Sequence, residues 1–214
     1  MKSISFLSVW ILFFIFQTIH ASGKSKPNII YLMLDEWGYF ESSHMGSTDL
    51  ITPHIDQFAS EGMRFTNAYA GAPVCGPTRC SLLTGLHAGN MSMRVNNGHS
   101  PIRADEPTLA TVLKTKGYAT GGFGKWGIGG RGTTGVPEKH GFDLFFGYYD
   151  QVHAHTFYPS YLIRNSEEVP LPGNSGTSFY EGKTHAQLEI FKESIAFIQK
   201  HKDEPFFCYL PWTP

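Results

Sequence analysis

Cys75-Gly76-Pro77-Thr78-Arg79, running on into Cys80-Ser81-Leu82-Leu83-Thr84-Gly85, sets a potential nucleophile just ahead of a proline and an arginine. Proline suits the first turn of a helix, where it has no N–H to lose, so the spacing predicts residue 75 at a helix N-terminus, where free backbone N–H groups favour an anion. Arg79 follows one helical turn along, on the same face, as a cation able to brace that anion. A free thiol is mostly neutral at pH 7 and must be activated before it attacks. On a bland reading the same residues are a small buried hydrophobe and a solvated helix arginine.

Other chemistry-bearing residues follow from the elements that would carry them. Pro27 to Leu34 is a nearly unbroken apolar run, predicted as a strand buried on both faces, and it delivers Asp35 and Glu36 to its C-terminal end. Carboxylates there, costly if buried unpaired, are hard oxygen ligands for a divalent cation; a solvated acidic turn is the alternative. Gly117-Tyr118-Ala119-Thr120-Gly121-Gly122-Phe123-Gly124-Lys125-Trp126-Gly127 predicts a strand ending in glycine that lets Lys125 project into a site, or else a solvated lysine in a glycine-rich turn. His153-Ala154-His155 places two imidazoles at alternate residues, which on an extended chain point the same way. Histidine is the side chain best poised for proton transfer near neutral pH, although a pair of surface histidines reads the same.

Taken together, these blocks resemble the type I sulfatases, where C-x-P-x-R leads into a helix ending L-T-G and the cysteine becomes formylglycine. The resemblance implies an aldehyde hydrate at residue 75, one hydroxyl attacking the sulfur of a sulfate ester and the other later expelling sulfate. It implies Arg79 and Lys125 as clamps on the anion. It also implies Ca2+, with Mg2+ less suited, bound by Asp35, Glu36 and the converted residue 75. The usual acidic pair is Asp-Asp, so Glu36 departs from it by one methylene while keeping the charge. Gly127 departs further, because many members carry a histidine there that touches the second hydroxyl. His153, in a segment resembling the part that contacts substrate sulfate, is the expected replacement base, with His155 beside it.

The implied fold is α/β, alkaline-phosphatase-like, a mixed sheet flanked by helices. Thr52 to Gly62 predicts a helix with a threonine N-cap, proline at N1 and a glycine stop, followed by an extended segment from Met63 to Tyr69. Thr108 to Lys116 predicts a short amphipathic helix. His185 to His201 predicts another, packing through Leu188, Phe191, Ile195 and Ile198, and Pro205 to Leu210 a further strand.

The chain has 214 residues, 41% hydrophobic, with 17 basic against 18 acidic side chains, enough for one core and without the electrostatic footprint of a nucleic-acid binder. Residues 1–22 read as a secretory signal peptide, with an uncleaved anchor as the alternative, and residues 25–214 as an incomplete catalytic domain. Export, no stable membrane span after cleavage, a sulfated small molecule or glycan as substrate, and a formylglycine-generating enzyme as partner complete the expectation. The sequence stops before the family's general-acid histidine, its Asp-Asn metal pair and a further lysine, so little turnover is expected of this segment alone. Two other readings stay open: a phosphate or phosphonate hydrolase of the same superfamily, and a decayed, non-catalytic secreted binding protein. Cys80 and Cys208 are not expected to pair.

Overall fold

The computed structural model describes residues 26–96, 100–176 and 179–213, so the expected leader lies outside the described residues. Six strands form one sheet: β1 (Ile29–Leu34), β2 (Ala119–Lys125), β3 (Leu144–Tyr148), β4 (Tyr161–Arg164), β5 (Glu167–Pro170) and β6 (Phe206–Trp212). Their order is β1-β6-β2-β3-β4-β5, the first four parallel and the last two added antiparallel. Parallel neighbours need crossovers: the helices α1 (Pro53–Glu61), α2 (Cys75–Thr84) and α3 (Leu109–Thr115) lie between β1 and β2, α4 (Ala186–His201) leads to β6, and β2 reaches β3 through the 3-10 turn Pro137–His140. Among the described residues no helix is long and apolar enough to cross a membrane.

β6 shows why the sheet sits where it does. Phe206, Cys208 and Leu210 join one apolar cluster with Ile190 and Phe197 of α4, while Phe207 and Tyr209 join another with Leu83 of α2, Ala110 of α3, Trp126 and Phe142. A strand covered on both faces reads as a continuous apolar run, because the period-two alternation has no solvent side to mark. Cys80 and Cys208, both buried and free, belong to opposite clusters and are kept apart by the sheet itself.

Three expectations change. β1 is not buried on both faces: it hydrogen-bonds to β6 at the edge of the described sheet, and Ile30 and Leu32 are 52% and 47% exposed. An apolar run records that a strand is fit for cover, not which neighbours it has. Met63 to Tyr69 forms no strand but an exposed irregular segment. Finally, α4 packs through Ala186, Ile190, Ser194 and Phe197, leaving Leu188 and Phe191 exposed. Its orientation is set by Gly121 on β2, where the missing side chain admits the Phe197 ring, 5.4 Å from that of Phe123.

A Cβ at Gly121 would lie 2.8 Å from the Phe123 ring and 2.9 Å from that of Phe197, whereas one at Gly130 meets nothing within 4 Å. Gly121→Val is therefore expected to cost about 1–3 kcal/mol by overpacking, and Gly130→Ala to stay within about 0.5 kcal/mol, read as shifts in urea midpoint. Equal effects would refute this packing of α4.

Candidate active site

The carboxyl ends of β1, β6, β2 and β3 lie along one edge of the sheet, the edge at which open α/β sheets present ligand sites. Asp35 follows β1 directly, its N–H donating to the Trp212 carbonyl at the end of β6 (2.9 Å). Lys125 is the last residue of β2, and the segment from Tyr149 to His155 leaves β3. α2 begins at Cys75; the preceding Val74 is extended (φ −133°, ψ 156°) and gives no side-chain cap, so the helix opens on backbone N–H groups.

Arg79 and Lys125 are both fully buried, and the Asp35 carboxylate joins them. Arg79 Nη2 donates to Asp35 Oδ1 at 2.9 Å, Lys125 Nζ to Oδ2 at 2.7 Å, and Arg79 Nη1 to the Lys125 carbonyl at 2.5 Å. Burial alone would raise the Asp35 carboxyl, but the Lys125 hydrogen bond and the charges of Arg79 and Lys125 outweigh it and hold the group below its ordinary value. Two cations share one carboxylate. The surplus positive charge sits where low dielectric strengthens its pull on an anion, and Arg79 Nε is buried with no hydrogen-bond partner among the described residues.

Glu36 lines a cleft with Asp35 and His155. Two neighbouring carboxylates suit a hard cation and supply part of the six to eight oxygens that Ca2+ takes. Among the described residues no group of three or more His, Cys, Asp or Glu is gathered for a metal.

The two histidines part company. Asp150 Oδ1 accepts from the N–H groups of Val152 (2.8 Å) and His153 (3.1 Å), and residues His153–His155 form a 3-10 turn instead of an extended segment. Residues two apart on such a turn do not share a face. His155 Nε2 lies 3.4 Å from Lys125 Nζ, at the charge cluster. His153 packs its ring against Tyr148 (5.1 Å) and Tyr161 (4.7 Å), and burial lowers its pKa. The expected common pocket for the pair is therefore corrected, and of the two it is His155 that stands beside Lys125.

Sequence reasoning missed the residues that touch position 75. Asn96 Nδ2 donates to Cys75 Sγ (3.0 Å), and Cys75 Sγ donates to Gln151 Oε1 (3.3 Å). Gln151 Nε2 donates to the carbonyl of Gly127 (2.8 Å). The available signal was Gly127 itself, a glycine where a side chain would collide with Gln151.

The chain matches the family model Sulfatase over residues 27–212. It is 41% identical to the N-acetylgalactosamine-6-O-sulfatase of Bacteroides thetaiotaomicron, covering 91% of this chain and 49% of that protein. It is 39% identical to arylsulfatase A of Bos taurus, covering 88% of this chain and 41% of the relative. It therefore spans about half the length of these curated relatives or less. Among solved structures, Ps i-CgsB in complex with k-i-k-neocarrahexaose superposes with TM-score 0.77 at 27% identity, over 88% of this chain and 45% of that one. Another, solved with its substrate D-glucosamine-2-N,6-O-disulfate, superposes with TM-score 0.69 at 26% identity, over 86% and 34%.

Removing one member of a buried charge cluster leaves the others uncompensated. Asp35→Ala is expected to cost about 3–5 kcal/mol in denaturant unfolding; a loss below about 1 kcal/mol would mean that Arg79 and Lys125 are solvated. The lowered pKa of His153 makes a second expectation. The unfolded chain takes up the proton first, so stability is full above histidine's ordinary value of about 6.5 and falls as pH drops from there through the lower folded value. His140, also lowered chiefly by burial, adds a parallel loss. His153→Phe should flatten part of that slope, and an unchanged slope would place the ring in water.

Proposed function

The chain belongs to the sulfatase family, and from that membership we propose that the full-length protein hydrolyses sulfate esters through residue 75, converted from cysteine to formylglycine. The observation that carries the reading is the buried Arg79–Asp35–Lys125 cluster, one cation in surplus, whose Arg79 stands on the helix that Cys75 begins. The conversion replaces CH2SH by CHO. It is a two-electron oxidation in which sulfur leaves formally as hydrogen sulfide and oxygen enters, and it calls for a maturation enzyme with its own oxidant.

A hydrated aldehyde at residue 75 supplies one hydroxyl as nucleophile and a second whose collapse to the carbonyl releases sulfate. The residues of this chain serve that chemistry in distinct ways. The α2 N-terminus and Arg79 hold sulfuryl oxygens, since a full negative charge repels a nucleophile unless cations neutralise it. Lys125 braces the same anion from β2, and Asp35 fixes both cations so that little reorganisation is needed. His155, beside Lys125, is placed to exchange a proton with a group held there. Asp35, Glu36 and the converted residue 75 would hold Ca2+ in preference to the stricter octahedral Mg2+. The ion would add positive charge at the same anion. His153, packed between tyrosines, has a positioning role in this reading.

The substrate class follows from the relatives, one named for an N-acetylgalactosamine 6-O-sulfate and one solved with a sulfated glucosamine: a sulfated glycan or a small aryl sulfate. A hydrolase of this kind, led by the apolar N-terminal segment, works outside the cytoplasm.

Mass spectrometry of the tryptic peptide holding residue 75 from a competent host should show a loss of about 18 Da relative to cysteine. Full-length protein should then cleave a sulfate ester faster than its phosphate analogue, and Cys75→Ala should abolish cleavage. An intact thiol with undiminished turnover would remove the proposed nucleophile, and a preference for the phosphate would move the protein to the phosphate-ester branch.

A further inference from the structure

We propose that Asn96 and Gln151 form a carboxamide clamp that orients the reacting group of residue 75, in the space that a side chain on residue 127 would otherwise occupy. The catalytic part of this inference rests on the function proposed above; the geometry does not.

Both amides are oriented by a second bond. Asn96 Oδ1 accepts from the Gly76 N–H (2.9 Å), so its Nδ2 is the end that faces Cys75. Gln151 Nε2 donates to the Gly127 carbonyl (2.8 Å), which leaves Oε1 facing Cys75. Residue 75 thus sits between one fixed donor and one fixed acceptor. That pair matches the two hydroxyls of an aldehyde hydrate: Asn96 donates to the oxygen that gains charge, and Gln151 accepts from the hydroxyl that waits.

Two glycines make the room. A Cβ on Gly127 would lie 2.4 Å from Gln151 Nε2 and 2.9 Å from its Cδ, and φ of +73° disfavours any other residue there. A Cβ on Gly76 would lie 2.6 Å from Asn96 Oδ1 and 3.0 Å from Gln151 Nε2. A side chain at 127 and the Gln151 carboxamide exclude one another. A carboxamide neither gains nor loses a proton in the ordinary pH range, so Gln151 is a positioning residue and not a base.

The test has a thiol arm and a turnover arm. In the unmatured chain, iodoacetamide labelling of Cys75 is followed by peptide mass spectrometry, with the buried Cys80 and Cys208 as internal controls. Asn96→Ala removes the donor that stabilises a thiolate and should slow labelling about tenfold, while Gln151→Ala frees the S–H and should speed it by a similar factor. Acceleration in both variants, the signature of simple loosening, overturns the clamp. In matured full-length protein, Gln151→Ala should lower kcat about a hundredfold with KM within about twofold. Gly127→His should give no gain, whereas Gly127→His with Gln151→Gly should exceed Gln151→Gly alone. A gain from Gly127→His by itself overturns the proposal. If the wild type keeps its thiol and lacks turnover, the function proposed above fails, and the opposite signs of the labelling arm still decide the clamp.

Discussion

One carboxylate between two buried cations is the constraint on which the rest depends. Asp35 reaches Arg79 across 44 residues of chain and Lys125 across 90, so three elements distant in sequence meet at a single side chain. Taking Arg79 and Lys125 out of water costs several kcal/mol per ion, and hydrophobic cover alone cannot repay it. Only close pairing does, which fixes the ends of β1 and β2 and the pitch of α2 against the sheet. The pairing is incomplete by one charge, and in the function proposed above that surplus faces the substrate anion.

The sheet order lets the cluster form. β6 enters between β1 and β2, so the carboxyl ends bearing Asp35 and Lys125 flank a strand whose own end, Trp212, accepts the Asp35 N–H. β6 is apolar on both faces and packed between α4 and the α2–α3 side, a support covered on both faces.

Much of this was legible in the sequence, for particular reasons. The helix start at Cys75 is written in Pro77, the place of Lys125 at a strand end in the glycines around it, and the strand end at Asp35 in the apolar run before it. These are local signals, each carried by a few adjacent residues. What escaped is non-local. The face that α4 buries depends on Gly121, in another element, and the exposure of β1 depends on what lies beside it. The divergence of His153 and His155 turns on Asp150, whose carboxylate converts an apparently extended stretch into a tight turn. Asn96 and Gln151 could not be found from spacing, since their partners are a helix N–H and a carbonyl in other segments.

Gly127 bears on whether the chain reads as a working site or a decayed one. Decay removes a side chain and leaves what it touched without partners, since nothing selects for repair of a vacated corner. The corner here is filled: Gln151 uses both ends of its amide, Asn96 uses both of its own, and Gly76 and Gly127 each lack the one atom that would collide with them. Four residues from four separate segments agree on one arrangement around position 75. Such agreement is easily lost by a single substitution, so it argues for a corner kept ordered around residue 75 over a vacated one, as the clamp proposed above requires.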